Sequence, residues 1–246
     1  MVEKETELLF IAPGVFIDAL RQSPYVERRV ADHIKDFRID PPFVPIYYDL
    51  VTSLRRLPTQ SKLEREWEKR AFEQRKDVTL GHIARVGRAW ASLIMEHHAY
   101  SMCVSMASEM GFTKVYKSNY LDTMGGIDCI VSRGIYRMGL RWWWNGGSWG
   151  DYWQQKKLLR SDVAKQDWLR NGNEPFWWFD IEEEGIFSQP LNGEPESVLE
   201  GNMHLYTPEH VIAIRDELKA RSKNALGSLE EGQSFSQTPP NGEGAV

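Results

Sequence analysis

The chain has 246 residues, enough for one large domain, or one domain with an appended segment, and either would bury a sizeable hydrophobic core. Its 30 Lys and Arg residues stand against 35 Asp and Glu residues, so the formal net charge is -5. That balance excludes a protein coated uniformly in positive charge for nucleic acid, while leaving room for a local basic groove.

The cysteines and the hydropathy pattern indicate the cellular compartment of the protein. Cys103 and Cys129 lie in apolar segments without C-x-x-C spacing, which predicts small buried thiols of a reducing compartment. No apolar run approaches the roughly 18 residues that span a bilayer, so we predict no membrane partner. The N-terminus is too acidic for a secretory signal. We therefore expect a cytoplasmic protein.

The first part of the chain carries helical patterns and no obvious chemistry. Helices are predicted near residues 16–21, 25–37 and 45–57, the last from apolar residues at helical spacing. Residues 61–76 interleave acids and bases, which is typical of a solvated helix held by ion pairs three or four residues apart. We interpret residues 1–77 as a helical N-terminal region.

Residues 79–110 predict one long helix or two joined helices, with an apolar stripe at three- and four-residue steps. Gly111 is placed as the helix stop. The adjacent His97 and His98 point to different faces of a helix, so we favour satisfied or exposed histidines over a two-histidine metal site.

Residues 112–144 predict three strands, and the chain is organised around them. Residues 112–116 alternate apolar and polar side chains, and residues 127–131 form a short apolar run broken by Asp128. A turn at Gly134 then leads into a strand rich in β-branched and aromatic residues. A carboxylate within such a run is unfavourable to bury unless it is paired or binds a metal, so Asp128 needs a functional explanation.

The segment that follows combines tryptophan with positive charge. Most of the ten tryptophans fall between residues 142 and 178, where they predict an aromatic core or partner surface, or else stacking platforms for unpaired bases. A helix predicted over residues 152–169 carries Lys156, Lys157 and Arg160 in the most basic stretch of the chain.

Further along, residues 175–181 predict a buried strand. Thr207 as cap and Pro208 at the first helical position predict a final helix that ends at about Arg221. The composition of residues 222–246 predicts a disordered tail.

The elements follow one another in the order helix, Gly-Phe strand, Gly-Gly-Ile-Asp strand, hairpin, third strand and Tyr-Thr-Pro-Glu helix. This order is similar to that of the PD-(D/E)xK nuclease superfamily. Restriction endonucleases and Holliday-junction resolvases belong to that superfamily. The resemblance covers about residues 85–221. It implies an α/β class with a restriction-endonuclease-like mixed sheet flanked by helices, which we assign to residues 78–221.

In that family an acid on the second strand and an acid-x-Lys on the third hold a divalent metal beside the scissile phosphate, and a helix glutamate often completes the site. Asp128 matches the first acid and Glu96 is the helix candidate, so the resemblance implies both as Mg²⁺ ligands. Arg141 and Trp143 stand where the second acid and the lysine belong. We assign the displaced lysine to Lys117, at the end of the first strand, which gives the candidate catalytic set Asp128, Glu96 and Lys117. The other lysines that could have moved into the site are Lys114, Lys156 and Lys157.

Three functions follow from these observations. The first is a metal-dependent DNA endonuclease with migrated catalytic residues. The second is a degenerate subunit that binds DNA or a protein–DNA assembly without robust cleavage, and Mg²⁺ matters only if catalysis survives. The third is an α/β protein-interaction module without a nucleic-acid role. The missing acid-x-Lys favours the second, with a protein partner or a second copy of the chain compatible with it. The residues predicted to contact nucleic acid are Lys156, Lys157, Arg160 and Arg141.

Overall fold

The computed structural model describes residues 8–27, 40–117, 127–134, 136–143, 186–191 and 193–233. Several predictions from the sequence lie outside these residues. They are most of the helix over residues 25–37, the basic helix over 152–169 with Lys156, Lys157 and Arg160, the strand over 175–181, and the tail from residue 234 onward.

Six helices occur in the described part of the chain: α1 Pro13–Gln22, α2 Phe43–Leu54, α3 Gln60–Glu73, α4 Leu80–Ser105, α5 Ala107–Met110 and α6 Pro208–Gln233. The two joined helices expected before Gly111 are thus α4 and α5. The last helix, α6, continues beyond Arg221, where we expected it to end and a disordered tail to begin. Alanine, leucine and glutamate within residues 222–233 favour the helical state. Among the helices described, none is long and apolar enough to cross a membrane.

Two helices begin with the same Thr-x-x-His cap. At the start of α4 the Thr79 hydroxyl accepts the His82 amide at 3.3 Å, and the Thr79 amide donates to His82 Nδ1 at 3.2 Å. At the start of α6 the Thr207 amide donates to His210 Nδ1 at 3.1 Å, and Pro208 opens the helix as predicted. These bonds satisfy amides that have no acceptor within the helix, and so fix where each helix begins.

The main sheet is mixed, with strand order β1-β2-β3-β4. Its strands are β1 Lys114–Tyr116, β2 Cys129–Arg133, β3 Tyr136–Trp143 and β4 Ile186–Pro190. Strands β1 to β3 form an antiparallel meander, and β4 runs parallel to β3. Gly134, with φ of 60°, closes the hairpin between β2 and β3. The mixed α/β class and the three adjacent strands within residues 112–144 are therefore confirmed.

Two elements escaped the sequence analysis. Strand β4 and the hairpin of β5 Val198–Glu200 with β6 Met203–Leu205 lie between residue 181 and Thr207, where the sequence analysis predicts no strand or helix. Strands of three to five residues in a segment rich in Gly, Pro, Asn and Glu show too little alternation to be recognised.

One hydrophobic core joins the N-terminal helices to the sheet. Its buried members include Phe16 of α1, Trp67 of α3, Ile94 of α4 and Val131 of β2. Helix α3 is not simply solvated, because it buries an apolar stripe of Leu63, Trp67 and Ala71 and turns its ion pairs outward. Both cysteines are buried and free, as expected.

Gly201, in the turn between β5 and β6, provides a test of this packing. Its φ is 54°, and an added Cβ would lie 2.7 Å from the Leu20 carbonyl oxygen. We expect Gly201→Ala to lower the free energy of unfolding by about 2 to 3 kcal/mol, because both the left-handed backbone and the contact with α1 oppose a side chain. Urea unfolding would measure it. Gly134→Ala, with φ of 60° and nothing within 4 Å of the added Cβ, is the control and should lose only about 1 kcal/mol. Equal losses would show that the approach to Leu20 is unimportant.

Candidate functional site

Three elements bring the predicted residues Glu96, Lys117 and Asp128 to one buried place. Glu96 lies within α4, Lys117 directly follows β1, and Asp128 directly precedes β2. The Lys117 amine donates to the Asp128 main-chain carbonyl at 3.0 Å and lies 3.5 Å from the Glu96 carboxylate. Lys117 is 1 % exposed, and both acids are buried. We call these three residues the lysine centre.

The two carboxylates of the lysine centre have further partners. Glu96 accepts a hydrogen bond from the Ser92 hydroxyl, one helical turn earlier, at 2.9 Å. Asp128 Oδ2 accepts the main-chain amide of Trp142, while the Asp128 amide donates to the Leu140 carbonyl at 3.0 Å. The Asp128 side chain thereby adds a hydrogen bond between the start of β2 and β3, in addition to those of the regular β-ladder.

The amine of Lys117 is the positive charge at the lysine centre, and its influence extends to its neighbours. It lies 5.8 Å from the centre of the Trp142 ring, within the range of a cation–π contact. Burial raises the pKa of Cys129 to about 12, and Lys117 opposes that rise. An ammonium in such surroundings is stable only when a carboxylate and hydrogen-bond acceptors surround it, which is the arrangement observed.

The implied Mg²⁺ does not fit these residues as they lie. In the parts of the chain that the structure describes, no three His, Cys, Asp or Glu side chains are grouped to hold a metal ion. The Lys117 amine lies against Glu96, and Asp128 Oδ2 accepts a main-chain amide. A hard divalent cation needs clustered oxygen ligands with accessible lone pairs.

Of the residues predicted to contact nucleic acid, only Arg141 is among those described. It is 2 % exposed within β3, so its guanidinium does not lie at a surface where a phosphate could meet it. Contact with nucleic acid requires an accessible guanidinium, whereas both faces of β3 are covered at this point, since Arg141 and Trp142 are both buried. Lys156, Lys157 and Arg160 lie outside the described residues.

A different set of cations lines the sheet, and sequence analysis missed it. Lys114 of β1 pairs with Ser132 of β2, and Ser132 pairs with Arg137 of β3. Side chains alternate between the faces of a strand, so Lys114 points away from the face that carries Lys117. The sequence analysis names Lys114 only as a lysine that could have moved into the catalytic site. Its relation to Arg137 depends on strand register, which local alternation does not reveal.

A second buried cluster contains three histidines, and both members of the adjacent pair His97 and His98 have hydrogen-bond partners in it. His97 Nε2 lies 2.8 Å from the Leu9 carbonyl, so in the neutral ring Nε2 donates and Nδ1 accepts from the Tyr47 hydroxyl at 2.7 Å. His98 Nδ1 accepts the Tyr206 amide at 3.2 Å, and the Tyr206 ring stacks on His210.

Burial keeps these imidazoles neutral. It lowers the pKa of His97 to about 3, with Lys117 and His98 adding to the effect. It also lowers the pKa of His98 to about 4, reinforced by His210, and that of His210 to about 4. All three therefore act as hydrogen-bonding groups of the core at neutral pH.

No protein-family model matches the sequence, no curated protein matches it, and no solved structure matches its fold. The function must therefore be inferred from the lysine centre and from the surfaces around it.

Proposed function

We propose that the chain is a catalytically silent relative of the PD-(D/E)xK nucleases, which binds DNA or a protein–DNA assembly without cutting it. The observation that carries this proposal is the buried amine of Lys117 between Glu96 and the Asp128 carbonyl.

The order of elements supports the kinship. Helix α4 precedes an antiparallel meander of β1, β2 and β3, and β4 then lies parallel to β3. The resemblance in sequence implies a mixed sheet with this sequence of helix and strands. Asp128 and Glu96 both contact Lys117, from the start of the second strand and from the preceding helix, where the resemblance places the acids of the site.

The chemistry of the lysine centre favours a protein without nuclease activity. Metal-dependent hydrolysis needs a divalent ion that polarises both a water molecule and the phosphate, so its ligands must face a substrate. Here the Lys117 amine forms an ion pair with Glu96 in a buried site. Arg141 also replaces the second acid, which removes one more oxygen ligand.

Nuclease and binding assays with the full chain test the proposal. We expect no nicking of supercoiled plasmid with either Mg²⁺ or Mn²⁺, together with salt-dependent binding of a fluorescent DNA duplex. Asp128→Asn is the matched variant, and it should behave like the unmodified chain in both assays, provided that it folds.

Two outcomes would replace this proposal. Nicking by the unmodified chain that Asp128→Asn abolishes would establish a metal-dependent endonuclease with migrated residues. Neither nicking nor binding, even at low salt, would remove both nucleic-acid functions and leave a protein-interaction module.

A further inference from the structure

Strand β1 lies at an edge of the main sheet, because the strand order is β1-β2-β3-β4. Just beyond its end the Lys117 carbonyl accepts the Leu8 amide at 3.2 Å, so this edge already bonds a second segment of the chain. Peptide groups two residues apart on a strand face the same edge, so the amide and carbonyl of Val115 also face outward. In the part of the chain that the structure describes, no main-chain hydrogen bond joins Val115 to residues 8–10. The Val115 main chain is therefore placed to bond a further strand.

A groove of about 460 Å³ lies along this edge, and we call it the edge groove. It is lined by residues 112–115 of the sheet edge, by residues 8–10 of the N-terminal segment, and by Val104 of α4 and Ala107 of α5. Phe10 is 45 % exposed, and Val104 and Ala107 are half-buried, so the apolar lining is accessible from solvent. The edge groove thus combines an open strand edge with an apolar surface.

This combination suits an extended polypeptide. A peptide that adds a strand to a sheet edge gains affinity from main-chain hydrogen bonds and specificity from pockets that take alternate side chains. The volume of the edge groove falls within the range of about 300 to 1,000 Å³ that is typical of ligand sites. Residues 112–115 span about 13 Å when extended, so the ligand is a short segment that directs apolar side chains toward Val104 and Ala107.

Neither terminal segment outside the described ranges has this pattern. Residues 1–7 have glutamate at positions 3, 5 and 7, and residues 234–246 contain one phenylalanine with two prolines and two glycines. Carboxylates are unfavourable against an apolar lining, and proline cannot donate to a strand. A second copy of β1 would bring its own residues 8–10 to the same edge, and the two N-terminal segments would meet between the strands. A single extended segment of another protein has no such obstacle.

We propose that the edge groove binds an extended segment of a partner protein, which pairs with β1 and places alternate apolar side chains against Val104 and Ala107. The inference goes beyond the proposed function, because it requires no nucleic acid. The bound segment bonds main-chain groups of an edge strand that would otherwise face water, and it covers the exposed ring of Phe10.

Peptide binding by the full chain tests the proposal. A phage library of random peptides is selected on the unmodified chain, and the enriched peptide is synthesised with a fluorophore for anisotropy. We expect the enriched peptides to carry apolar residues at every second position. Val104→Glu should weaken binding of the peptide about tenfold or more, because a carboxylate then faces its apolar side chains. Val198→Glu is the matched control, since Val198 is 51 % exposed in β5, and it should change the affinity by less than about twofold.

Methylation of the peptide amides, one at a time, separates strand addition from simple apolar contact. Every second methyl group should weaken binding about fivefold or more, because it removes a hydrogen bond to the edge of β1. Equal effects at all positions would overturn the pairing with β1. No enriched peptide, or equal binding by Val104→Glu and Val198→Glu, would overturn the edge groove as a peptide site.

Light scattering of the unmodified chain supplies the second arm of the test. A dimer that Val104→Glu dissociates would assign the edge groove to a second copy of the chain and overturn the partner segment. If Val104→Glu does not fold, as judged by its melting temperature, Phe10→Ser carries the test, because Phe10 is an exposed part of the lining. It should weaken peptide binding about fivefold, and an unchanged affinity would overturn the proposal.

Discussion

Acidification from about pH 7 to about pH 4.5 should destabilise the folded chain by several kcal/mol, because His97, His98 and His210 cannot take up protons in the core. The pKa of a histidine is ordinarily 6.5, and burial lowers that of His97 to about 3. Above 6.5 both states are neutral and the stability is fully present. As the pH falls, the unfolded chain binds protons first, so stability is lost progressively until the folded pKa is reached.

The expected loss of stability on acidification is large. A pKa difference of one unit corresponds to about 1.4 kcal/mol, so each of the three histidines should remove roughly 2 to 3 kcal/mol by about pH 4.5. Their sum is comparable with the whole stability of a typical domain, about 5 to 15 kcal/mol. Urea unfolding followed at a series of pH values would measure the loss.

His97→Gln isolates one member of the cluster. Glutamine can accept from the Tyr47 hydroxyl and donate to the Leu9 carbonyl, yet it does not titrate. The variant should therefore lose less stability on acidification than the unmodified chain, by roughly 2 to 3 kcal/mol. His204→Gln is the control, since His204 bonds to Ser197 outside the cluster. An acid response in His97→Gln equal to that of the unmodified chain would contradict the explanation.

Replacing Lys117 by Met should lower the free energy of unfolding at neutral pH by about 3 to 5 kcal/mol. Methionine fills a similar volume but leaves the Glu96 carboxylate buried without its cation and removes the donor to the Asp128 carbonyl. Lys69→Met removes an exposed lysine, 3.9 Å from Glu73, and should change stability by less than about 0.5 kcal/mol.

The double variant Lys117→Met with Glu96→Leu distinguishes a charge effect from a packing effect. With both charges gone, no unpaired ion remains in the core, and much of the lost stability should return. Calorimetry or urea unfolding of the unmodified chain, Lys117→Met, Glu96→Leu and the double variant would complete the cycle. A Lys117→Met chain as stable as Lys69→Met would mean that the ammonium does not hold Glu96 in the folded state.

The features that sequence analysis predicted well are local ones. A short apolar run marks β2, a glycine turn and a segment rich in β-branched and aromatic residues mark β3, and the Thr207-Pro208 pair marks the start of α6, because each depends on neighbours along the chain. The meeting of Glu96, Lys117 and Asp128 is not local. The resemblance to a nuclease family brought those residues together, and no spacing rule would have done so.

The misses have physical causes as well. In α3 the apolar residues Leu63, Trp67 and Ala71 repeat every four residues. The many charged residues between them dominate the composition of the segment, so the apolar stripe was not recognised. Lys114 and Arg137 lie in one row across the sheet only in the observed register of β1 with β2 and of β2 with β3. A shift of either register would separate them. Tertiary packing decides both features, and a pattern within one segment cannot supply it.

The docking of α1 on the β5–β6 hairpin constrains when the protein can fold during synthesis. Arg21 forms an ion pair with Glu200, 179 residues later, and the Tyr25 amide donates to the Gly201 carbonyl. The first helix therefore cannot complete its packing until the ribosome has produced and released residue 201. Until then the apolar side of α1 lacks part of its cover, so the nascent chain exposes apolar surface that the finished protein buries.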